Sequence, residues 1–142
     1  LTVLAPVVPE SLQVRRVPVY VSPTAVQYLT EAQWVDDPAE LFRTVLSETL
    51  AARTSRVVVD PSVYTRDPAV QVTGNLSMFG FDPNRMEAVA VYDAAVARGG
   101  GIATRRFESR IPVGSPDALA VIPALNEATN RIAAEVAAWV VQ

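Results

Sequence analysis

Three stretches of alternating residues, joined by two short turns, constrain this chain most. The first, "AVQVTGNLSMFGF", spans residues 69–81. Val70, Val72, Gly74, Leu76 and Met78 fall on one face, and Gln71, Thr73, Asn75 and Ser77 on the other. A period of two marks a strand with one buried face. The alternation changes at Phe79-Gly80-Phe81, and both Phe could face outward. "DPNR" (82–85) has turn chemistry. "MEAVAVYDAAVA" (86–97) is the second strand, and "RGGG" (98–101) is a loose hairpin loop. "IATRRFESRIPV" (102–113) returns, with Thr104, Arg106, Glu108 and Arg110 on one face and Ala103, Arg105, Phe107, Ser109 and Ile111 on the other. Long strands joined this closely form an antiparallel meander.

Two helical patterns supply the second layer. In "DDPAELFRTVLSETLAAR" (36–53), Asp37 stands at the N-cap, Pro38 at the first helical position and Glu40 three residues after the cap. This predicts a capping box with Asp in the usual Ser/Thr place. Leu41, Phe42, Val45, Leu46, Thr49 and Leu50 share one stripe. Asp36 is polar, so no hydrophobic staple forms, and Trp34 is expected to anchor the turn by its own burial. The closing stretch, "SPDALAVIPALNEATNRIAAEVAAWVVQ", predicts a helix capped by Ser115 with Pro116 at its first position. Its stripe is Leu119, Ile122, Leu125, Ala128, Ile132, Val136, Trp139 and Val140, and Pro123 should kink or divide it.

Residues 1–11 read as a connector in which Thr2–Leu4 could form a short strand, ahead of one domain over 12–142. "LQVRRVPVYV" (12–21) predicts a strand whose alternation slips at Arg15-Arg16, and Pro18 suggests an edge. "AVQYLT" (25–30) pairs with it as a hairpin. "RVVVD" (56–60) predicts a short buried strand and "PSVYTRDP" (61–68) a loop. The order β-β-α-β-β-β-β-α gives a two-layer α/β (α+β) sandwich, with a mostly antiparallel sheet and two helices on one face.

Composition restricts the chemistry. The chain has 142 residues, half of them hydrophobic, and a net charge of −3. No basic excess marks a nucleic-acid binder. All 12 basic residues are Arg; Lys, His and Cys are absent. That excludes Ser-His-Asp and Cys-His catalysis, a Schiff-base Lys, a His/Cys zinc site and any disulfide. No cofactor or metal is expected. No run of apolar residues is long enough for a membrane-spanning helix.

The remaining candidates have plain structural readings beside their functional ones. Asp36-Asp37 could be a catalytic carboxylate pair, but adjacent side chains point apart and the capping pattern accounts for Asp37. Gly99-Gly100-Gly101 lies between strands, whereas a phosphate loop feeds a helix. Arg15-Arg16 and Arg105-Arg106 could bind acidic groups. On strands each pair would split across two faces. Asn75-Leu76-Ser77 matches a glycosylation sequon inside a strand and is discounted. Phe79, Phe81 and Met86 cluster at a turn, where exposed aromatics would mark a contact surface or tuck under a helix end.

The series Tyr28, Trp34, Pro38, Leu41, Val45 and Thr49-Leu50 follows "VRRVPVYV" and precedes "RRFESRIPV" (105–113) and "ALNEATNRIAAEVAAWV" (124–140). In that order, over nearly the whole chain, the sequence resembles the ABC-type transport auxiliary lipoprotein family, the PqiC-like proteins. The resemblance implies a Gram-negative envelope protein, held by lipid on an N-terminal Cys and working with an ABC transporter and an MCE-domain protein in lipid traffic. A signal peptide and Cys are then expected ahead of Leu1. The family carries no catalytic motif to transfer. The reading is a non-enzymatic accessory subunit at the periplasmic side of the outer membrane, with an MCE-domain partner and room for a homo-oligomer. Phe79, Phe81, Arg15 and Arg16 are the expected contacts; Tyr28, Trp34, Asp37, Pro38 and Trp139 are expected fold determinants. The rival is a periplasmic lipid-binding carrier, with a pocket beneath the helices opened by Ala88, Ala90, Ala94 and Ala95. A carboxylate-only hydrolase is a third reading, with no residue pair to support it.

Overall fold

The structure is a computed structural model that describes residues 2–22, 24–29, 33–34, 36–54 and 70–140. Strands β4 (Val70–Asp82), β5 (Glu87–Arg98) and β6 (Gly101–Pro112) form the expected meander. β2 (Pro18–Ser22) and β3 (Ala25–Tyr28) form the expected hairpin, and β1 is Thr2–Val3. The strands make one sheet in the order β3-β2-β4-β5-β6, with β1 also on β4. Helices α1 (Pro38–Thr54) and α2 (Ala118–Val140) pack on one face. This is the expected two-layer α+β architecture. The strand and loop expected at 56–60 and 61–68 lie outside the described residues.

The meander holds because β5 is flanked on both sides for its whole length. Its residues Ala88, Ala90, Tyr92, Ala94 and Val96 are buried under the helices. Small alanines let α2 lie close, and Tyr92 fills the centre. Its ring stands 4.7 Å from Phe42 of α1 and lies over Gly74, where an added Cβ would come within 2.7 Å of the ring.

The outer edge of β4 is shared. Its first half takes β1 in parallel, followed by a bridge from Val7 to Asn75, and its end meets β2 at Val19↔Phe81. Leu4, Val7 and Leu76 N–H groups continue this parallel ladder at 2.9 Å each. Neither segment reaches Phe79, whose N–H instead donates to the Tyr20 hydroxyl at 2.8 Å. The stretch expected as a connector thus contributes a strand, a bridge and the buried Thr2 and Val3 to the sheet and core.

Several expectations are corrected. β4 has a bulge between Leu76 and Met78, so one residue is inserted and the buried face switches phase. Phe79 and Phe81 therefore point into the core, at 3% and 1% exposure, and do not face outward. Arg15 and Arg16 lie in bends before β2, not in a strand. β2 sits between β3 and β4; Pro18 is tolerated as its first residue, and the edge strand is β3. α2 starts at Ala118 because Asp117 caps it: Asp117 Oδ1 accepts the Ala120 N–H at 3.1 Å, while Ser115 only supports Asp117. Leu119 is 90% exposed, so the buried stripe begins at Val121. Helix α2 runs as one element through Pro123. The carbonyl that Pro123 cannot bond is that of Leu119, on an exposed turn where water can reach it.

Candidate functional site

Five residues singled out in the sequence meet at one corner, where the β2–β3 hairpin folds against the start of α1. The Arg15 carbonyl accepts the Trp34 N–H at 2.7 Å. The Arg15 guanidinium lies 3.5 Å from the Asp37 carboxylate, with both side chains more than half exposed. The Arg16 guanidinium sits 5.2 Å above the Tyr28 ring, a cation–π contact, and the Tyr28 hydroxyl donates to the Ser11 carbonyl. Trp34 packs on Phe79 with ring centres 5.5 Å apart. Phe79 thus supports the corner from below, and Phe81 is buried in the core.

The helix start here differs from a capping box. Asp37 N–H donates to Asp36 Oδ1 at 2.8 Å, and Glu40 is taken by Arg43 at 2.7 Å. The Asp37 carbonyl accepts the first helical N–H groups, from Glu40 and Leu41, while its carboxylate faces Arg15. Asp36 and Asp37 are each engaged locally and form no cleft pair. Pro38 is the first helical residue, as expected.

Beside the corner an apolar cleft of about 360 Å³ opens between α1 and α2. Trp34, Leu41, Val45, Phe79 and Ile122 line it, with Gln33, Asn126 and Thr129 as neutral polar groups. Among the described residues no charged side chain lines it. Trp34 Nε1 nearby is buried without a hydrogen-bond partner among the described residues. The pocket expected beneath the helices is absent from that place, because Ala88, Ala90 and Ala94 are closely covered. Ala95 faces the other side of the sheet. Val45 and Ile122 were legible as stripe residues; that they flank a gap was not.

The helix-free face of the sheet carries ion pairs. Arg106 forms a two-point ion pair with Asp93 at 2.6 and 3.1 Å. Arg110 contacts Glu108, Asp82 and Glu87 at 2.8, 3.2 and 3.4 Å. Hydrogen bonding to Glu108 holds the Arg110 guanidinium above its ordinary pKa. Arg105 lies on the helix side, 5.3 Å from the Phe107 ring, so this Arg pair does split across two faces. Tyr20 lies across Gly80, and burial pushes its hydroxyl up to about 12. Trp139 is remote from the corner: it meets Phe107 edge-on at 5.6 Å, near the end of α2. Among the described residues no acidic cluster is placed to hold a metal, and no helix is long and apolar enough to cross a membrane.

A mostly antiparallel sheet carrying two helices on one face, with an ion-paired corner and an apolar cleft, defines a two-layer α+β sandwich domain. The chain belongs to the family of ABC-type transport auxiliary lipoprotein components, whose family model matches residues 1–137. The crystal structure of protein XCC0632 from Xanthomonas campestris is similar, with a TM-score of 0.83 at 17% identity, covering 98% of this chain and 81% of that one. The PelC dodecamer from Paraburkholderia phytofirmans matches with a TM-score of 0.55 at 13% identity, covering 95% of this chain and 83% of that one. No curated protein matches the sequence.

Proposed function

We propose that this chain is a non-enzymatic accessory subunit of an ABC/MCE-type system moving phospholipids or other hydrophobic compounds across a Gram-negative envelope. An N-terminal lipid holds it at the periplasmic face of the outer membrane, and it docks the MCE-domain protein of the system. The observation that carries this reading is the family match over residues 1–137. The corner of Arg15, Arg16 and Tyr28 is the docking surface: its two guanidiniums are exposed, and the backbone beneath them is fixed by Trp34. Arginines on a held backbone suit recognition of carboxylates. Phe79 and Phe81 serve this surface only from below. A homo-oligomer is part of the proposal, supported by the dodecameric description of PelC, which shares the fold.

Co-elution of the chain with the MCE-domain protein encoded beside it, read by native mass spectrometry, tests the proposal. Stoichiometric complex formation is expected. Absence of a complex with the lipidated protein as well overturns it.

The cleft beside Trp34 favours a second reading, a periplasmic lipid-binding carrier. Its size and neutral, apolar lining suit an aliphatic chain. Lipid retained through purification, and lost in Val45→Trp, would make this the primary function.

A further inference from the structure

The sheet register places the chain's entry and the β5–β6 hairpin tip at the same end. Thr2 is opposite Gln71, Gln71 is opposite Ala97, and Ala97 is opposite Ile102, so these four residues form one rung across the sheet. The tip itself is Gly99, Gly100 and Gly101, the first two with positive φ and open space around them. Ile102 follows at 74% exposure, and every residue from Gly101 to Arg106 is exposed, on both faces of the sheet. A recess of about 360 Å³ beside the tip is lined by Val96, Arg98, Ala103 and the half-buried Trp139. α2 ends here too, where Arg98 donates to the Val140 carbonyl at 2.6 Å. The other end of the sheet carries ion pairs, with the exposed Leu119 of α2 near it. It carries Asp82 and Glu87 beside Arg110, and the ion-paired corner at the start of α1.

We propose that the hairpin tip, Gly99–Ile102 with Trp139 behind it, is the surface that lies against the membrane, its occupant being the headgroup region of a phospholipid bilayer. This rests on the reading above that a lipid ahead of Thr2 anchors the chain. The chain enters on the rung that carries Ile102, so an anchor on that side draws this end toward the bilayer. An exposed aliphatic side chain, a half-buried Trp and a nearby Arg are residue types that interfaces accept. Gly99 and Gly100 let the tip adjust to a fluid surface at little steric cost. The proposal orients the molecule: the tip faces lipid, and the Arg15-Arg16 corner faces away, toward a partner.

The chain has no Cys, so one introduced thiol is a unique label site. Ile102→Cys, at the hairpin tip, and Leu119→Cys, in the first turn of α2, put labels on two highly exposed positions. Each full chain is labelled with an environment-sensitive dye and tethered by an N-terminal His tag to vesicles of phosphatidylethanolamine, phosphatidylglycerol and nickel-chelating lipid, with a lipid-borne quencher. The label at 102 is expected to shift blue and lose emission on tethering, and the label at 119 to do neither. Equal responses, or a larger one at 119, overturn the proposal. In Thr104→Cys, adding Ile102→Asp should reduce the loss of emission; an unchanged loss also overturns it. Cooperative unfolding of each variant confirms that it is folded. The supplied tether makes this result independent of the native anchor, which incorporation of labelled palmitate by the native protein tests separately.

Discussion

The two ends of the sheet are built on different principles. At the corner, backbone is held by side chains: Trp34 on Phe79, Tyr28 on Ser11, Tyr20 on Phe79 N–H, and Arg15 across to Asp37. At the hairpin tip, among the described residues, no side-chain bond of this kind holds residues 99–101, and the strand ladder carries the turn. A surface that must match a protein partner benefits from a fixed backbone, since rigidity lowers the entropy lost on docking. A surface that meets a fluid bilayer needs little fixed shape. The contrast is between a backbone held by side chains at the corner and a glycine turn, Gly99-Gly100-Gly101, at the tip.

The largest effect that separates the ends should come from glycine. Gly74→Ala places a methyl against the Asp93 carbonyl and the Tyr92 ring in the closed body of the sheet. We expect a loss of about 3 kcal/mol in urea unfolding. Gly100→Ala meets no neighbours and suffers only its φ of +81°, so about 1 kcal/mol is expected. Equal losses would show that the tip is as constrained as the body.

Tyr20→Phe removes the hydroxyl that satisfies the Phe79 N–H where neither β1 nor β2 reaches β4. Leaving that donor unpaired should cost about 1–3 kcal/mol by the same measurement. The hydroxyl also links stability to alkali. Below pH 10 it is protonated in both folded and unfolded chains. Between pH 10 and about 12 the unfolded phenol ionises while the buried one resists, so stability is lost as pH rises. Tyr92 is raised by burial as well and adds to the slope. Urea midpoints across this range should fall less steeply in Tyr20→Phe than in the wild type.

The smallest effects lie at the surfaces assigned to binding. Asp37→Ala breaks a long, exposed ion pair but leaves the carbonyl that starts α1, so at most about 1 kcal/mol is expected. Ile102→Asp should stay within about 0.5 kcal/mol of the wild type, because the side chain is 74% exposed.

What was legible in the sequence follows the range of the interactions. The meander was readable because alternation and two short turns specify it locally. α2 was readable from its stripe, although its cap shifted from Ser115 to Asp117, the residue whose side chain reaches the Ala120 N–H. Phe79 and Phe81 were misplaced because the bulge at Ser77 leaves no composition signal and inverts every side chain after it. The importance of Tyr28, Trp34, Arg15 and Arg16 was visible, but not their meeting. That depends on β2 joining β4 in parallel across more than fifty intervening residues, which no local pattern encodes. The cleft was placed under the helices because alanines there leave room in sequence; in three dimensions α2 moves in and fills it.

The most direct test of the account is partner binding by three proteins in parallel: wild type, Ile102→Asp, and Arg15→Glu with Arg16→Glu. Each is co-eluted with the MCE-domain protein encoded beside it. Stoichiometric complexes are expected for the first two and loss of the complex for the third, with all three folded. Failure of the wild type to bind, or a complex indifferent to the arginine reversal, would contradict it.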